Sequence, residues 1–216
     1  MKVFLIGSNG QVGKHIVKLL QENDKYELTA MVRSQEKAES LKQAGVHAIV
    51  DDLEGSVDEL AELIKGHDAV IFSAGSGGNT GHDKTLLIDL DGAVKSMEAA
   101  EKVGADRYVM VSAFKAYDRE SWKDSPIKPY MAAKHYADRI LRASGLNYTI
   151  FGPGLLVNEP GTGNIAVNGD IKKSSVPRED VARTVVAALD EEKTFKKTID
   201  LMSGETAVEE ALKNIQ

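Results

Sequence analysis

The 216-residue sequence contains no cysteine, and this absence removes several kinds of chemistry. Without thiols the chain forms no disulfide, no thiolate metal site and no cysteine nucleophile. Its five histidines have no partners at a metal-ligand spacing, so the sequence predicts no metal site. A chain without cysteine is compatible with a reducing compartment.

The chain also has no basic cluster and no long apolar run. Its 27 Lys and Arg residues are scattered among 33 Asp and Glu residues, and the net charge is −6, which argues against a phosphate-neutralising surface. No stretch approaches the roughly 20 apolar residues of a membrane helix, and the apolar run at residues 3–6 is too short for a signal peptide. We therefore expect a cytoplasmic protein that binds neither nucleic acid nor membrane.

Short apolar runs alternate with longer amphipathic segments as far as residue 151. The runs are apolar throughout, which is typical of strands that are buried on both faces of a sheet. They cover residues 3–6, 28–32, 46–50, 69–72, 107–111 and 147–151, and the helical segments cover residues 11–21, 35–43, 56–65, 84–103 and 130–143. This alternation predicts an α/β fold with a doubly wound parallel sheet and helices on both faces.

The first turn carries glycines at the spacing G-x-x-G-x-x-G, directly after the first strand and at the start of the first helix. It reads Gly7, Ser8, Asn9, Gly10, Gln11, Val12 and Gly13. In such a turn the glycines permit a tight bend, close approach of the backbone to a pyrophosphate, and close helix–strand packing. The helix N-terminus adds free N–H groups for the phosphates. The motif predicts a dinucleotide-binding Rossmann fold, and a glycine-rich turn without a ligand is the alternative.

The residue after the second strand favours NADP(H). A site selective for NAD usually places Asp or Glu there to hold the ribose 2′-hydroxyl, whereas this chain has Arg33. An arginine can pair with the 2′-phosphate of NADP, and Ser8 and Asn9 can add hydrogen bonds. The alternatives are a solvated arginine, or one that is paired with the nearby Glu36. We expect NADP(H) to be preferred, with NAD(H) as the alternative cofactor.

The pattern changes after residue 151. Turn-rich stretches at residues 152–154 and 159–163 precede a predicted hairpin at residues 165–171, around Asn168-Gly169. A helix is predicted over residues 178–189, a strand over 198–202 and a closing helix over 205–214. Because no linker or repeat is present, we predict one NAD(P)-binding domain of residues 1–216, in which residues 152–216 include a small substrate-side lobe.

An ordered series of motifs along nearly the whole chain resembles the short-chain dehydrogenase/reductase superfamily. The match is to its small atypical NAD(P)-binding members, near the NmrA-like and biliverdin-reductase-like proteins. The series comprises the glycine loop, Asp52-Leu53, Ser73-Ala74-Gly75, Val111-Ser112-Ala113, Tyr130 with Lys134, Gly152-Pro153-Gly154 and residues 177–181. The resemblance implies that Asp52 and Leu53 flank the adenine. It also implies that Ser73, Ala74, Gly75, Pro153 and Gly154 contact the cofactor. A strand-end acidic pair that caps a turn is the alternative for Asp51 and Asp52.

Tyr130 and Lys134 stand four residues apart, and such residues share one face of a helix. A nearby ammonium favours a phenolate and lowers the tyrosine pKa from its ordinary value of about 10. Tyr130 is then expected to donate a proton to a carbonyl oxygen as a hydride arrives from the nicotinamide. The resemblance implies that Lys134 also binds the nicotinamide ribose and that Ser112 hydrogen-bonds the substrate oxygen.

Three functions fit these residues. The first is an NADPH-dependent oxidoreductase that acts on a small carbonyl or similar acceptor through Ser112, Tyr130 and Lys134. The second is a non-catalytic NADP(H)-sensing regulator of the NmrA-like type, and the third is a flavin or tetrapyrrole reductase that does not use Tyr130. A nucleotide-sugar epimerase is disfavoured because the roughly 65 C-terminal residues are few for its substrate domain. The sequence leaves open both the substrate and the choice between monomer and homodimer.

Overall fold

A computed structural model describes residues 1–78, 80–168 and 175–215. The strands are β1 Lys2–Ile6, β2 Glu27–Val32, β3 His47–Val50, β4 Ala69–Phe72, β5 Arg107–Val111, β6 Asn147–Pro153, β7 Leu155–Val157, β8 Asn164–Val167, β9 Ser175–Pro177, β10 Lys197–Ser203 and β11 Thr206–Ala207. The helices are α1 Gln11–Gln21, α2 Gln35–Gln43, α3 Val57–Ile64, α4 His82–Lys84, α5 Ala93–Val103, α6 Lys128–Ala143, α7 Arg178–Ala187 and α8 Val208–Lys213.

Within the described residues, one sheet has the strand order β11-β8-β10-β6-β5-β4-β1-β2-β3. The strands from β3 across to β10 are parallel, whereas β8 runs antiparallel to both β10 and β11. The predicted doubly wound α/β fold is confirmed. The chain turns in opposite directions on the two sides of β1, and ligands of open α/β sheets bind at such a switch point, beyond the carboxyl ends of the strands.

The two faces of the sheet carry separate apolar cores. Along β1, Val3 and Leu5 pack against the face that is covered by α1, α7 and α8. Phe4 and Ile6 pack against the opposite face, which is covered by α3, α5 and α6. Successive side chains of a strand point to opposite faces, so a strand that is covered on both sides must be apolar at every position. This explains the uninterrupted apolar runs of the sequence.

The predicted helix over residues 84–103 has an unexpected interruption. Thr85–Gly92 is π-helical and lies between α4 and α5. A side chain at Gly92 would place its Cβ 2.8 Å from Cβ of Leu53, so the segment packs closely against the turn after β3. π-helical segments are rare and are frequent at functional sites. The wider turn leaves the side chain of Asp89 buried.

The C-terminal part of the chain extends the sheet. The predicted strand over residues 198–202 lies within β10, and the predicted hairpin is only partly described. Asn168 has a φ of 47°, but residues 169–174 lie outside the described residues, so the hairpin stays a prediction. The parallel pair of β7 and β9 was not predicted. Among the described residues no helix is both long and apolar enough to span a bilayer.

Arg107 at the start of β5 fastens the end of α7 to the sheet. Its buried guanidinium donates to the carbonyl oxygens of Asn147, Ala188 and Leu189, at 2.6, 2.6 and 3.3 Å. It also donates to two buried threonine hydroxyls, and it lies 4.4 Å from the ring centroid of Phe195. The planar fork of donors suits this arrangement, and no other side chain offers it.

Candidate functional site

The glycine loop between β1 and α1 is shaped by two close approaches of the backbone. Gly7 has a φ of 92°, and a Cβ there would lie 2.5 Å from the backbone nitrogen of Ala74. A Cβ at Gly13 would overlap the carbonyl oxygen of Gly7. The N–H of Lys14 donates to the carbonyl of Gly10 at 2.9 Å, so the N–H groups before it have no acceptor within the helix. They are available to an anion.

A cleft of about 480 Å³ opens beside this loop, at the carboxyl ends of β1, β2 and β4. Of the predicted cofactor residues, it brings together Gly7, Asn9, Gly10, Arg33, Leu53, Ser73, Ala74 and Gly75. The other lining residues are Ile6, Met31, Val32, Ser34, Lys37 and Ile88. Its volume lies in the range of about 300–1,000 Å³ that is typical of small-molecule sites. The switch point of the sheet therefore holds a real cavity.

One end of the cleft is cationic. Arg33 and Lys37 both line it, and both side chains are exposed. Ser34 caps α2 by accepting a hydrogen bond from the N–H of Lys37 at 3.4 Å. In the described part of the chain no ion pair joins Arg33 to Glu36, so Arg33 is not neutralised in that way. Lys37 was missed by the sequence analysis, although it lies one helical turn beyond Arg33.

Four residues of the loop lie outside the lining of the cleft: Ser8, Gln11, Val12 and Gly13. The Ser8 hydroxyl is buried and donates to the carbonyl of Met31 at 2.7 Å, which ties the loop to β2. Val12 is buried in the core beneath α1. Gln11 is exposed in the first turn of the helix. Ser8 therefore positions the loop, and Gln11 and Val12 can contribute to anion binding through their backbone N–H groups.

The predicted residues Asp52, Pro153 and Gly154 also lie outside the lining of the cleft. Asp52 accepts a hydrogen bond from the N–H of Glu54 at 2.8 Å. It therefore caps the turn after β3, which was the alternative to a contact with the adenine. Its neighbour Leu53 lines the cleft in its place. Pro153 ends β6, and the N–H of Gly154 donates to the carbonyl of Leu201 at 3.0 Å. Both residues lie at the end of β6, which β4 and β5 separate from β1 and the glycine loop.

The three predicted catalytic residues lie where β5 and α6 meet. Ser112 follows β5 and is 4% exposed, and Lys134 is 2% exposed. The Lys134 ammonium donates to the carbonyl of Val111 at 3.0 Å, and its Nζ lies 6.0 Å from the ring centroid of Tyr130. The ammonium is therefore directed at the end of β5, with Tyr130 one helical turn away.

The predicted lowering of the pKa of Tyr130 is wrong. Burial raises the pKa of this tyrosine, and the charges of Asp89 and Asp138 raise it further. Burial also lowers the pKa of Lys134, against the effect of the same two carboxylates. Burial disfavours the charged form of both groups, so here it outweighs the attraction between an ammonium and a phenolate. Tyr130 is a neutral phenol at physiological pH.

Two acidic residues of this cluster were missed by the sequence analysis. Asp89 accepts a hydrogen bond from the N–H of Ser76 at 3.0 Å, and its Oδ1 lies 3.0 Å from the place of a Cβ on Gly75. It therefore connects the cleft to Tyr130 and Lys134. Asp138 lies one turn beyond Lys134, and burial raises its pKa to about 6. A repeat of polar residues at a spacing of four along α6 was the available signal.

The residues of the cleft fit a nicotinamide dinucleotide better than they fit a metal. Side chains at Gly7 and Gly13 would collide with the backbone, so glycine at these positions keeps the tight turn that a dinucleotide loop needs, and the first turn of α1 presents N–H groups to phosphates. Within residues 1–78, 80–168 and 175–215, no group of three or more histidine, aspartate or glutamate side chains is arranged to hold a metal ion.

The sequence profile of a family described as NAD(P)H-binding matches residues 7–192. The chain belongs to this NAD(P)H-binding family. A Bacillus subtilis (strain 168) protein named Uncharacterized sugar epimerase YhfK is 54% identical, with 100% of both chains covered. UPF0659 protein YMR090W of Saccharomyces cerevisiae is 40% identical, with 100% of this chain and 99% of that protein covered. The structure of the oxidoreductase ylbE from Lactococcus lactis has a TM-score of 0.89 at 35% identity, covering 100% of this chain and 96% of that one.

The expectation of an NAD(P)-binding protein with a Rossmann fold is confirmed. The names of its relatives include an epimerase and an oxidoreductase. The relative named as an epimerase is matched along its whole length. Chain length therefore does not separate the two activities, and the size argument made from the sequence is too weak to disfavour an epimerase.

Proposed function

We propose that this protein is an NADPH-dependent oxidoreductase that transfers a hydride to a small carbonyl or a similar acceptor. The position of Asp89 supports the proposal. Its carboxylate accepts a hydrogen bond from the N–H of Ser76, next to the cleft residue Gly75. The π-helical segment that carries Asp89 packs against α6, and the charge of Asp89 acts on both Tyr130 and Lys134. Gly75 is among the residues that would hold a cofactor, and Asp89 places it near the groups that would handle a substrate oxygen. This proximity is what carbonyl reduction requires.

Different residues bind the cofactor and act on the substrate. The backbone of the glycine loop and the first turn of α1 hold the phosphates, and Arg33 and Lys37 hold the 2′-phosphate. The bound nicotinamide supplies the hydride. Ser112 orients the carbonyl oxygen, and the Tyr130 hydroxyl donates the proton that this oxygen needs as it becomes an alcohol.

The raised pKa of Tyr130 suits one direction of the reaction. Carbonyl reduction requires the protonated phenol, and burial together with Asp89 and Asp138 maintains that form. Alcohol oxidation requires the phenolate to accept a proton, and the same environment disfavours it. We infer that the protein works as a reductase at neutral pH.

The direct test is consumption of NADPH with a panel of aldehydes, 1,2-diketones and quinones. Carbonyl-dependent oxidation of NADPH supports the proposal. Tight binding without turnover favours the NADP(H)-sensing regulator, and turnover of a flavin or a tetrapyrrole that survives Tyr130→Phe favours the third function. Interconversion of nucleotide sugars without net consumption of the cofactor identifies an epimerase and contradicts the proposal.

The variant Arg33→Glu tests the preference for NADP(H). Replacing attraction with repulsion at the 2′-phosphate should weaken NADPH binding by about 10- to 100-fold, which corresponds to a charge-assisted hydrogen bond of about 1.5–3 kcal/mol. Binding of NADH, which lacks this phosphate, should change by less than about threefold. Isothermal titration calorimetry measures both affinities. The control Lys65→Glu makes the same charge change at the end of α3, away from the cleft. If Arg33→Glu weakened the binding of NADPH and of NADH equally, the proposed contact between Arg33 and the 2′-phosphate would be ruled out.

A further inference from the structure

Behind Ser112 lies a second buried polar group, the carboxyl of Asp138. Ser112 is 4% exposed and Asp138 is 1% exposed. Among the described residues, neither the Ser112 Oγ nor the Asp138 Oδ1 has a hydrogen-bond partner. A buried polar atom without a partner costs about 1–3 kcal/mol, and two such atoms in one place require an explanation.

These two groups belong to one buried cluster where α6 packs against the end of β5. Lys134, one turn before Asp138 on α6, donates to the carbonyl of Val111, the residue before Ser112, at 3.0 Å. The Ser112 hydroxyl lowers the pKa of Asp138, although the two side chains do not form a hydrogen bond of good geometry. A hydroxyl has one hydrogen and two lone pairs, and it rotates freely about its bond to Cβ. Rotation decides whether the hydrogen of Ser112 points back to Asp138 or outward to a substrate.

We propose that Asp138 is a positioning residue that sets the direction of the Ser112 hydroxyl. When Asp138 is ionised, it accepts the hydrogen of Ser112, and the serine presents a lone pair to the substrate. When Asp138 is protonated, its own O–H donates to the Ser112 Oγ, and the serine hydrogen is free to bind a carbonyl oxygen. This inference rests on the proposed function, which places the substrate oxygen at Ser112.

The groups around Asp138 place this change near neutral pH. Lys134 and Arg142 on the same helix lower its pKa, Asp200 on β10 raises it, and burial is the largest effect. The result is a pKa of about 6. Tyr130, which also responds to Asp138, stays neutral throughout this range because its own pKa is raised. The carbonyl-binding form of Ser112 is therefore populated as the pH falls through about 6.

The coupling is measurable without cofactor or substrate. In protein labelled with ¹³C, the side-chain carboxyl signal of Asp138 is assigned by its loss in Asp138→Asn and then followed against pH. Ser112→Ala should raise the midpoint of this titration by about one pH unit, because a hydrogen bond of about 1.5 kcal/mol to the ionised form is lost. The control Ser96→Ala removes another buried serine hydroxyl, which contacts Tyr108, and should leave the midpoint unchanged. An unchanged midpoint in Ser112→Ala overturns the proposal.

The pH profile of carbonyl reduction is the second test. With a carbonyl that the wild-type protein reduces, kcat/KM should fall by about tenfold between pH 6 and pH 7.5 as Asp138 ionises. Asp138→Asn should remove this fall, because its amide always donates to Ser112. A purely structural aspartate would lower activity without flattening the profile, so a retained fall in Asp138→Asn contradicts the proposal. If no carbonyl is reduced, the proposed function fails, while the carboxyl titration still decides whether Ser112 and Asp138 are coupled.

Discussion

Replacing Tyr130 with phenylalanine should lower the turnover of carbonyl reduction by about 10² to 10⁴, the usual contribution of a general acid. The substitution removes one oxygen and keeps the ring, which packs beside Trp122 and Met131. Binding of NADPH should change by less than about threefold, since a phenol that acts only on the substrate oxygen adds nothing to the affinity of the cofactor. Steady-state kinetics and calorimetry on the same preparation separate the two effects.

The control for this prediction is Tyr136→Phe. Tyr136 lies on the same helix, is exposed, and accepts a hydrogen bond from Arg119. Removing the Tyr136 hydroxyl should leave the turnover of carbonyl reduction within about twofold of wild type, as is usual for surface positions. An unchanged rate in Tyr130→Phe would remove this tyrosine from the chemistry and favour a reductase that uses the cofactor without an acid on α6.

Replacing Arg107 with methionine should reduce the free energy of unfolding by about 3 kcal/mol or more. The substitution keeps much of the side-chain volume but leaves the carbonyl oxygens of Asn147, Ala188 and Leu189 without their donor. A carbonyl left without a donor costs about 1–3 kcal/mol. Ala188 keeps long hydrogen bonds from the N–H of Glu191 and the Thr194 hydroxyl, at 3.4 and 3.5 Å, and the total cost is partly offset because a charge no longer needs to be buried. Urea denaturation followed by circular dichroism measures the loss.

Arg119→Met is the matched control, because Arg119 is exposed and bonds only the Tyr136 hydroxyl among the residues described. It should change stability by less than about 0.5 kcal/mol. A similarly small change in the free energy of unfolding of Arg107→Met would mean that water or neighbouring donors replace the guanidinium. The contact between α7 and β5 would then not depend on Arg107.

The fold was predictable because its signals are local. The buried strands are mostly apolar, as Val3 to Ile6 are throughout, and the glycine loop marks the end of the first strand and the start of the first helix. The order of the motifs then fixed which strand ends meet at the switch point. Arg33 and Gly75 could be assigned to the cofactor cleft for the same reason, since Arg33 directly follows β2 and Gly75 lies in the turn after β4.

The electrostatics of the site were not predictable, because they depend on burial and on contacts between distant segments. The spacing of Tyr130 and Lys134 indicated a shared helix face, but the burial that raises the pKa of Tyr130 arises only in the folded protein. Asp89 lies in an apolar stretch that reads as ordinary helix, and the π-helical turns there have no pattern of their own. Asp138 was a missed residue with a visible signal, because it continues the spacing of four that Tyr130 and Lys134 begin along α6.

The most direct test of this account is isothermal titration of the purified protein with NADPH, NADP⁺, NADH and NAD⁺. The account predicts a single site with a dissociation constant in about the micromolar range for NADPH, and affinity for NADH weaker by about tenfold or more. Such a result would confirm that the glycine loop holds a dinucleotide and that Arg33 and Lys37 select for the 2′-phosphate. Absence of binding to all four nucleotides would contradict the central claim, because a cleft that no longer binds the cofactor leaves Ser112, Tyr130 and Lys134 without a hydride to use.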